Sequence, residues 1–86
     1  IALIHSKKYS SLEIINLIKK SGRPLLEKVD LIDRYEGSSI PEDSVSQAFR
    51  IKYRNPNKTL VEEDINPIHE KIRNSLKEKI NAELRS

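Results

Sequence analysis

Three cations alternate near the middle of the chain, at Arg50, Lys52 and Arg54. Alternate residues of a β-strand share a face, so these charges would stand roughly 6.6–6.8 Å apart. That spacing suits successive phosphates of a single nucleic-acid strand. Acidic residues stop between positions 44 and 58, and Lys58 adds one more charge. Tyr35, just ahead of a turn region, offers a ring on which an unpaired base can stack, an interaction typically worth about 1–3 kcal/mol. Single-stranded RNA is read in this way, by splayed bases on aromatic rings with polar groups at their edges. A plainer reading is a solvated outer face with Tyr35 filling the turn. Residue types alone leave both open.

Other chemistries fare worse. The chain has no Cys, which excludes a thiolate nucleophile, a disulfide framework and a Cys-built zinc site. Two histidines, His5 and His69, make a His-rich metal site a poor expectation, and both read as packing or surface residues. There is no Gly-rich phosphate loop, no His-Glu-x-x-His and no recognisable Ser/His/Asp set. Asp30 and Asp33 are three apart and would fall on opposite faces of a regular strand. An acylphosphatase-like hydrolase would need an Arg-bearing anion loop and a suitably placed Asn, and neither is found. No apolar run approaches the roughly 20 residues of a membrane-spanning helix. Net charge is +3, from 16 basic and 13 acidic residues, which permits a polyanionic partner without demanding one.

The elements that would position these residues follow from periodicity. With 86 residues there is room for one small domain, taken as residues 1–86. Its 36% hydrophobic share is lean, but the apolar residues are patterned. Ile1 to His5 reads as a strand. Its opening on Ile-Ala-Leu-Ile without Met leads to the expectation of a segment from a longer protein. Ser10 and Glu13 have capping-box spacing. Ile14, Ile15, Leu17 and Ile18 follow as an apolar face, Lys19 and Lys20 suit the last turn, and Gly22 fits a left-handed stop with Pro24 beyond. A helix over about 11–21 is predicted. From Leu25 to Glu36, Val29, Leu31, Asp33 and Tyr35 alternate with Lys28, Asp30, Ile32 and Arg34. Neither set is uniformly apolar, which points to a bulge or a two-sided strand. After the turn region 37–43, Val45, Gln47, Phe49, Ile51 and Tyr53 alternate cleanly with polar and basic residues. Thr59 and Glu62 form a second capping-box spacing. Ile65, Ile68, Ile72, Leu76 and Ile80 predict a long amphipathic helix, kinked or broken at Pro67, with Asn66 able to recap a second segment. Ala82 to Arg85 predicts a last short strand. The order β-α-β-β-α-β gives an α+β, ferredoxin-like sandwich: a four-stranded antiparallel sheet with two helices on one face and the other face bare.

The residues from 33 onward add a resemblance. Asp33-Arg34-Tyr35-Glu36-Gly37, Ser46-Gln47-Ala48-Phe49-Arg50, Tyr53 to Leu60 and Glu62 to Asn66 stand in the order and spacing of a known family. Together with Gly22-Arg23-Pro24-Leu25-Leu26-Glu27 they resemble the C-terminal, ferredoxin-fold anticodon-binding domain of the β subunit of bacterial-type phenylalanyl-tRNA synthetases. The likeness covers essentially the whole chain. Ala82 to Arg85 suits that subunit's C-terminus, and Asn66-Pro67 looks most like cyanobacterial or plastid members. Arg34 and Gln47 depart from the family pattern, where apolar residues are common.

The resemblance implies a module that reads the anticodon of tRNA(Phe) and performs no chemistry itself. In the family, the tyrosine matching Tyr35 stacks on the first anticodon base, a guanine, and the residues matching Asp33 and Ser46 contact its edges. A carboxylate can accept from the guanine N1–H and N2–H₂ donors, and a hydroxyl can donate or accept. Ala48, two residues from Ser46, is small enough to admit a base. Arg50 and Lys52 are candidates for phosphate contacts on the strength of their spacing rather than of the family. Further implications are the rest of the β subunit and an α subunit as partners in an (αβ)₂ assembly, no membrane, ATP and Mg acting elsewhere in the parent with no cofactor in this domain, and a bacterial cytoplasmic or plastid stromal setting. The competing expectation is a ferredoxin-like protein-interaction or regulatory domain that binds no RNA.

Overall fold

The computed structural model describes residues 1–85. The elements run β1 (Ala2–Ser6), α1 (Ser11–Gly22), β2 (Leu26–Tyr35), β3 (Ser44–Tyr53), α2 (Glu62–Ile80) and β4 (Glu83–Leu84). The strands form one antiparallel sheet in the order β2-β3-β1-β4, so β1 and β3 are central. This is the expected ferredoxin-like arrangement. Its core lies between one sheet face and both helices. Leu3, Val29 and Phe49 from the sheet meet Ile14 and Ile18 of α1 and Ile72, Leu76 and Ile80 of α2. Burying side chains of this size stabilises by about 1.5–3 kcal/mol each.

Helix α1 begins where the sequence places it. The Ser10 hydroxyl accepts the Glu13 N–H at 3.0 Å, and Ile14 and Ile18, one turn apart, present the buried stripe. Its end differs from expectation. No glycine has a positive φ, and Gly22 is the last helical residue rather than a left-handed cap. The glycine answers a space requirement: a Cβ there would overlap the Leu26 side chain, lying 2.8 Å from its Cβ. Arg23 then turns extended, and the Arg23–Pro24 peptide is cis.

Helix α2 departs from the expected cap, and of the kink or break expected at Pro67 it excludes the break. Thr59 does not cap it. The helix starts at Glu62, and the carboxylate of Asp64 reaches back to accept the Val61 N–H at 3.1 Å. That bond, with Lys58 at 3.1 Å, holds the Asp64 carboxyl below its usual range. The helix is also unbroken at Pro67, so Asn66 starts no second segment. Pro67 is near the start of α2, and the carbonyl that loses a donor belongs to Glu63. Both residues are exposed, so water can serve that carbonyl. At the far end Asn81 takes the left-handed conformation, φ 52°, and its N–H bonds the Leu76 carbonyl. No helix among the described residues is long and apolar enough to cross a membrane.

Candidate nucleic-acid interface

The geometry of the candidate site begins with an irregularity in β2. From Lys28 to Leu31 the strand pairs residue for residue with β3, as Lys28↔Lys52, Val29↔Ile51, Asp30↔Arg50 and Leu31↔Phe49. The next pair is Asp33↔Ala48, followed by Arg34↔Gln47 and Tyr35↔Ser46. Ile32 is the extra residue of a β-bulge. Directly opposed residues share a face of the sheet. Before the bulge, Val29 faces the core with Ile51. After it, the residues of the same parity, Asp33 and Tyr35, stand with Ala48 and Ser46 on the opposite, helix-free face. A regular strand would have carried Tyr35 inward with Val29. The mixed alternation of the sequence therefore has a definite cause. The bulge also corrects the expectation for Asp30 and Asp33, which share the open face rather than lying on opposite ones.

Tyr35, Asp33, Ser46 and Ala48 form a two-by-two block at the turn end of this face. Opposed side chains in such a block have Cβ atoms about 4.5–5.5 Å apart. Tyr35 is 49% exposed. One oxygen of Asp33 accepts the Arg34 N–H at 2.9 Å, while Oδ2 has no bond among the described residues. The Ser46 hydroxyl has none either. The floor continues onto β1, where Ala2 lies opposite Ala48 and Ile4 opposite Ser46. Ile4 is 8% exposed yet stands apart from the main core. It was legible only as a strand residue, because its neighbour on the open face is set by the β1–β3 register. Glu36, just past Tyr35, is tied to Arg34 at 2.8 Å and to Lys7 at 2.5 Å. These two cations, Lys7 foremost, hold its carboxyl below the usual range. Arg34 thus has a structural reason to be polar: it braces the entrance to the turn.

The other end of the same face is basic, as the alternation predicts. Arg50 lies opposite Asp30, and Lys52 opposite Lys28. Arg50 makes no ion pair among the described residues. Lys52 is less free than its spacing implies. Glu27, the extra residue of a second bulge between Leu26 and Lys28, lies 3.7 Å from Lys52 and 3.5 Å from Arg54. Lys28 pairs with Asp30 at 3.6 Å. All these groups are solvent-exposed, where such pairs contribute roughly 0–1 kcal/mol and phosphates can compete for them.

Behind the block lies a buried polar chain. Gln47 and His5 are each 2% exposed. The Gln47 amide nitrogen is 2.7 Å from His5 Nε2, its carbonyl accepts the Ser11 hydroxyl at 2.6 Å, and His5 Nδ1 lies 2.8 Å from the Ser6 carbonyl. One assignment satisfies every group: neutral His5 accepts at Nε2 and donates from Nδ1. Burial, with a smaller contribution from the Arg34 charge, lowers its pKa from the usual value. Gln47 is therefore polar because it joins β1, β3 and the first turn of α1. His69 is likewise a packing residue, with Nδ1 3.2 Å from the Tyr53 hydroxyl. Among the described residues no three His, Asp or Glu side chains gather as metal ligands.

An open antiparallel sheet backed by two helices, with an aromatic ring, flanking polar groups and a basic stripe on its helix-free face, defines a module of ferredoxin-like fold. Residues 1–85 match the ferredoxin-fold anticodon-binding domain family, and the chain belongs to that family. Among its relatives are phenylalanine–tRNA ligase β subunits of Prochlorococcus marinus strain NATL2A, 84% identical over all 86 residues, and of a second strain of that species, 58% identical over the same length. The corresponding subunit of Synechococcus sp. strain CC9605 is 44% identical, again over the whole chain. The chain spans about a tenth of the length of these relatives, 10% for the first two and 11% for the third.

Proposed function

We propose that this chain is the tRNA(Phe) anticodon-recognition module of a phenylalanine–tRNA ligase β subunit. The observation that carries the reading is the bulge at Ile32, which turns Tyr35 and Asp33 out beside Ser46 on an uncovered sheet face. The first anticodon base, a guanine, stacks on the Tyr35 ring. Asp33 Oδ2 accepts from its N1–H and N2–H₂ edge, Ser46 bonds a second edge, and Ala48 with Ile4 leaves room for the base to lie flat. Arg50 and Lys52 meet phosphates of the same strand. The module lowers the free energy of the correct tRNA complex and leaves amino-acid activation, with its ATP and Mg, to other parts of an (αβ)₂ enzyme formed with an α subunit.

Binding of an anticodon stem-loop tests this. Affinity is expected to fall steeply with salt and to fall on Tyr35→Ala with the fold intact. Replacing the first anticodon guanine by adenine is expected to weaken binding to the wild type and much less to Asp33→Asn. Equal binding of guanine and adenine by the wild type would remove the role given to Asp33. Leu12, Leu31 and Ile32, exposed at 65%, 40% and 53%, are the foothold of the competing protein-docking reading. Salt-insensitive binding that ignores Tyr35 would favour it.

A further inference from the structure

Gly37 stands two residues beyond Tyr35 and needs no glycine-only backbone, since no glycine has a positive φ. What it supplies is space. A methyl group at Gly37 would fall on the Tyr35 hydroxyl and lie 2.6 Å from Cζ and 3.1 Å from Cε1. Those three atoms are the distal end of the phenol. The ring therefore rests on the Gly37 Cα, and any side chain there displaces it. The displaced atoms belong to the free end of a half-exposed side chain, not to backbone or core, so the ring can swing aside with the fold intact. The seat itself is held. The Gly37 carbonyl accepts the Ile40 N–H at 3.0 Å, and Glu36 beside it is tied to Arg34 and Lys7.

We propose that Gly37 is the positioning residue of Tyr35: its missing side chain is a seat that fixes the phenol in place before any base arrives. Fixing a side chain in advance removes part of the ordering cost of binding. The consequence for RNA rests on the reading of Tyr35 as a stacking platform. The geometry of the seat does not.

The experiment separates the two. The chain has only two glycines, Gly22 and Gly37, so ¹³C-glycine labelling gives two α-methylene signals. The Gly37 protons are expected to be shifted upfield by the ring, and Tyr35→Leu to return them to ordinary values. A Gly37 signal indifferent to Tyr35→Leu would overturn the seat. Gly37→Ala is then expected to bind the anticodon stem-loop about threefold to tenfold more weakly, with an unchanged unfolding curve. In the Tyr35→Ala background the same substitution should cost nothing further, a non-additivity that a general structural defect would not produce. Equal loss in both backgrounds, or no loss in the wild type, would overturn the positioning role. If Tyr35→Ala itself leaves binding unchanged, the stacking reading fails, and the glycine signals still decide the seat.

Discussion

At its turn end the open hairpin face carries Tyr35, Asp33, Ser46 and Ala48. Past the bulge at Ile32 it carries Asp30, Arg50, Lys28 and Lys52. The turn end is neutral apart from Asp33 and is braced from several sides, by Glu36 with its two cations and by the buried Gln47–His5–Ser11 chain behind it. The other end is charged, and its cations are partly shared with Glu27 and Asp30. Under the proposed function, one strand, β3, would serve two kinds of contact: shaped groups that discriminate between bases, and exposed charges that give affinity with little regard to sequence. The bulge is what keeps both on the same face.

The largest expected effect removes both ends together. Phe49 is 1% exposed at the centre of β3, and Phe49→Ala should destabilise the fold by about 3–5 kcal/mol in denaturant titrations. Base preference and salt-dependent binding should then vanish at the same denaturant concentration; separate losses would mean that the ends are not carried by one cooperative strand. Next, Tyr35→Ala should weaken stem-loop binding by about 1–3 kcal/mol while leaving the slope of affinity against salt unchanged. A changed slope would show the ends to be less distinct than the geometry has them.

Gln47→Leu strips partners from His5 Nε2 and the Ser11 hydroxyl, and should cost about 1–3 kcal/mol of stability. The same chain carries a pH dependence. His5 has its pKa lowered in the fold, so its contribution is fully present above the unfolded value of about 6.5 and is lost as pH falls below it. Protonated His5 would turn a second donor toward the Gln47 amide. Unfolding measured from pH 7.5 to pH 5 should show stability falling in the wild type and falling less in Gln47→Leu. A flat wild-type profile would mean that His5 is not held neutral.

The smallest effects lie at the basic end. Arg50→Gln with Lys52→Gln should reduce the salt slope by roughly 0.7 for each phosphate these side chains neutralise and leave the guanine preference intact. Glu27→Gln should act in the opposite direction, strengthening binding by less than about 1 kcal/mol as Lys52 and Arg54 are released. Weaker binding on Glu27→Gln would show that the carboxylate organises the cations rather than tempering them.

Much of this arrangement is legible in the sequence, and the exceptions share a cause. The element order, the apolar stripes of both helices and the basic stripe of β3 follow from periodicity, because each element reports its own buried face. The Ser10 cap is legible because it is local. The end of α1 is not, since Gly22 is required by Leu26, four residues along and across a turn. Asp64 outcompetes Thr59 as the start of α2 because its own carboxylate reaches the Val61 N–H. Pro67 near the helix start disturbs less than the same residue would deeper in. In the site, the spacing of Arg50 and Lys52 gives their face, but Glu27 and Ile4 become their neighbours and those of Ser46 only through register. The mixed pattern around Ile32 signals a bulge without saying which residues it turns outward.

Intermolecular contacts between the Tyr35 ring and the anticodon loop test the central claim most directly, by NMR on the chain bound to an anticodon stem-loop with guanine at the first position. The expected result is nuclear Overhauser contact between the Tyr35 ring protons and that guanine, with upfield shifts of both on binding. A Tyr35 ring whose signals stay unchanged in the saturated complex, while those of Arg50 and Lys52 move, would contradict it.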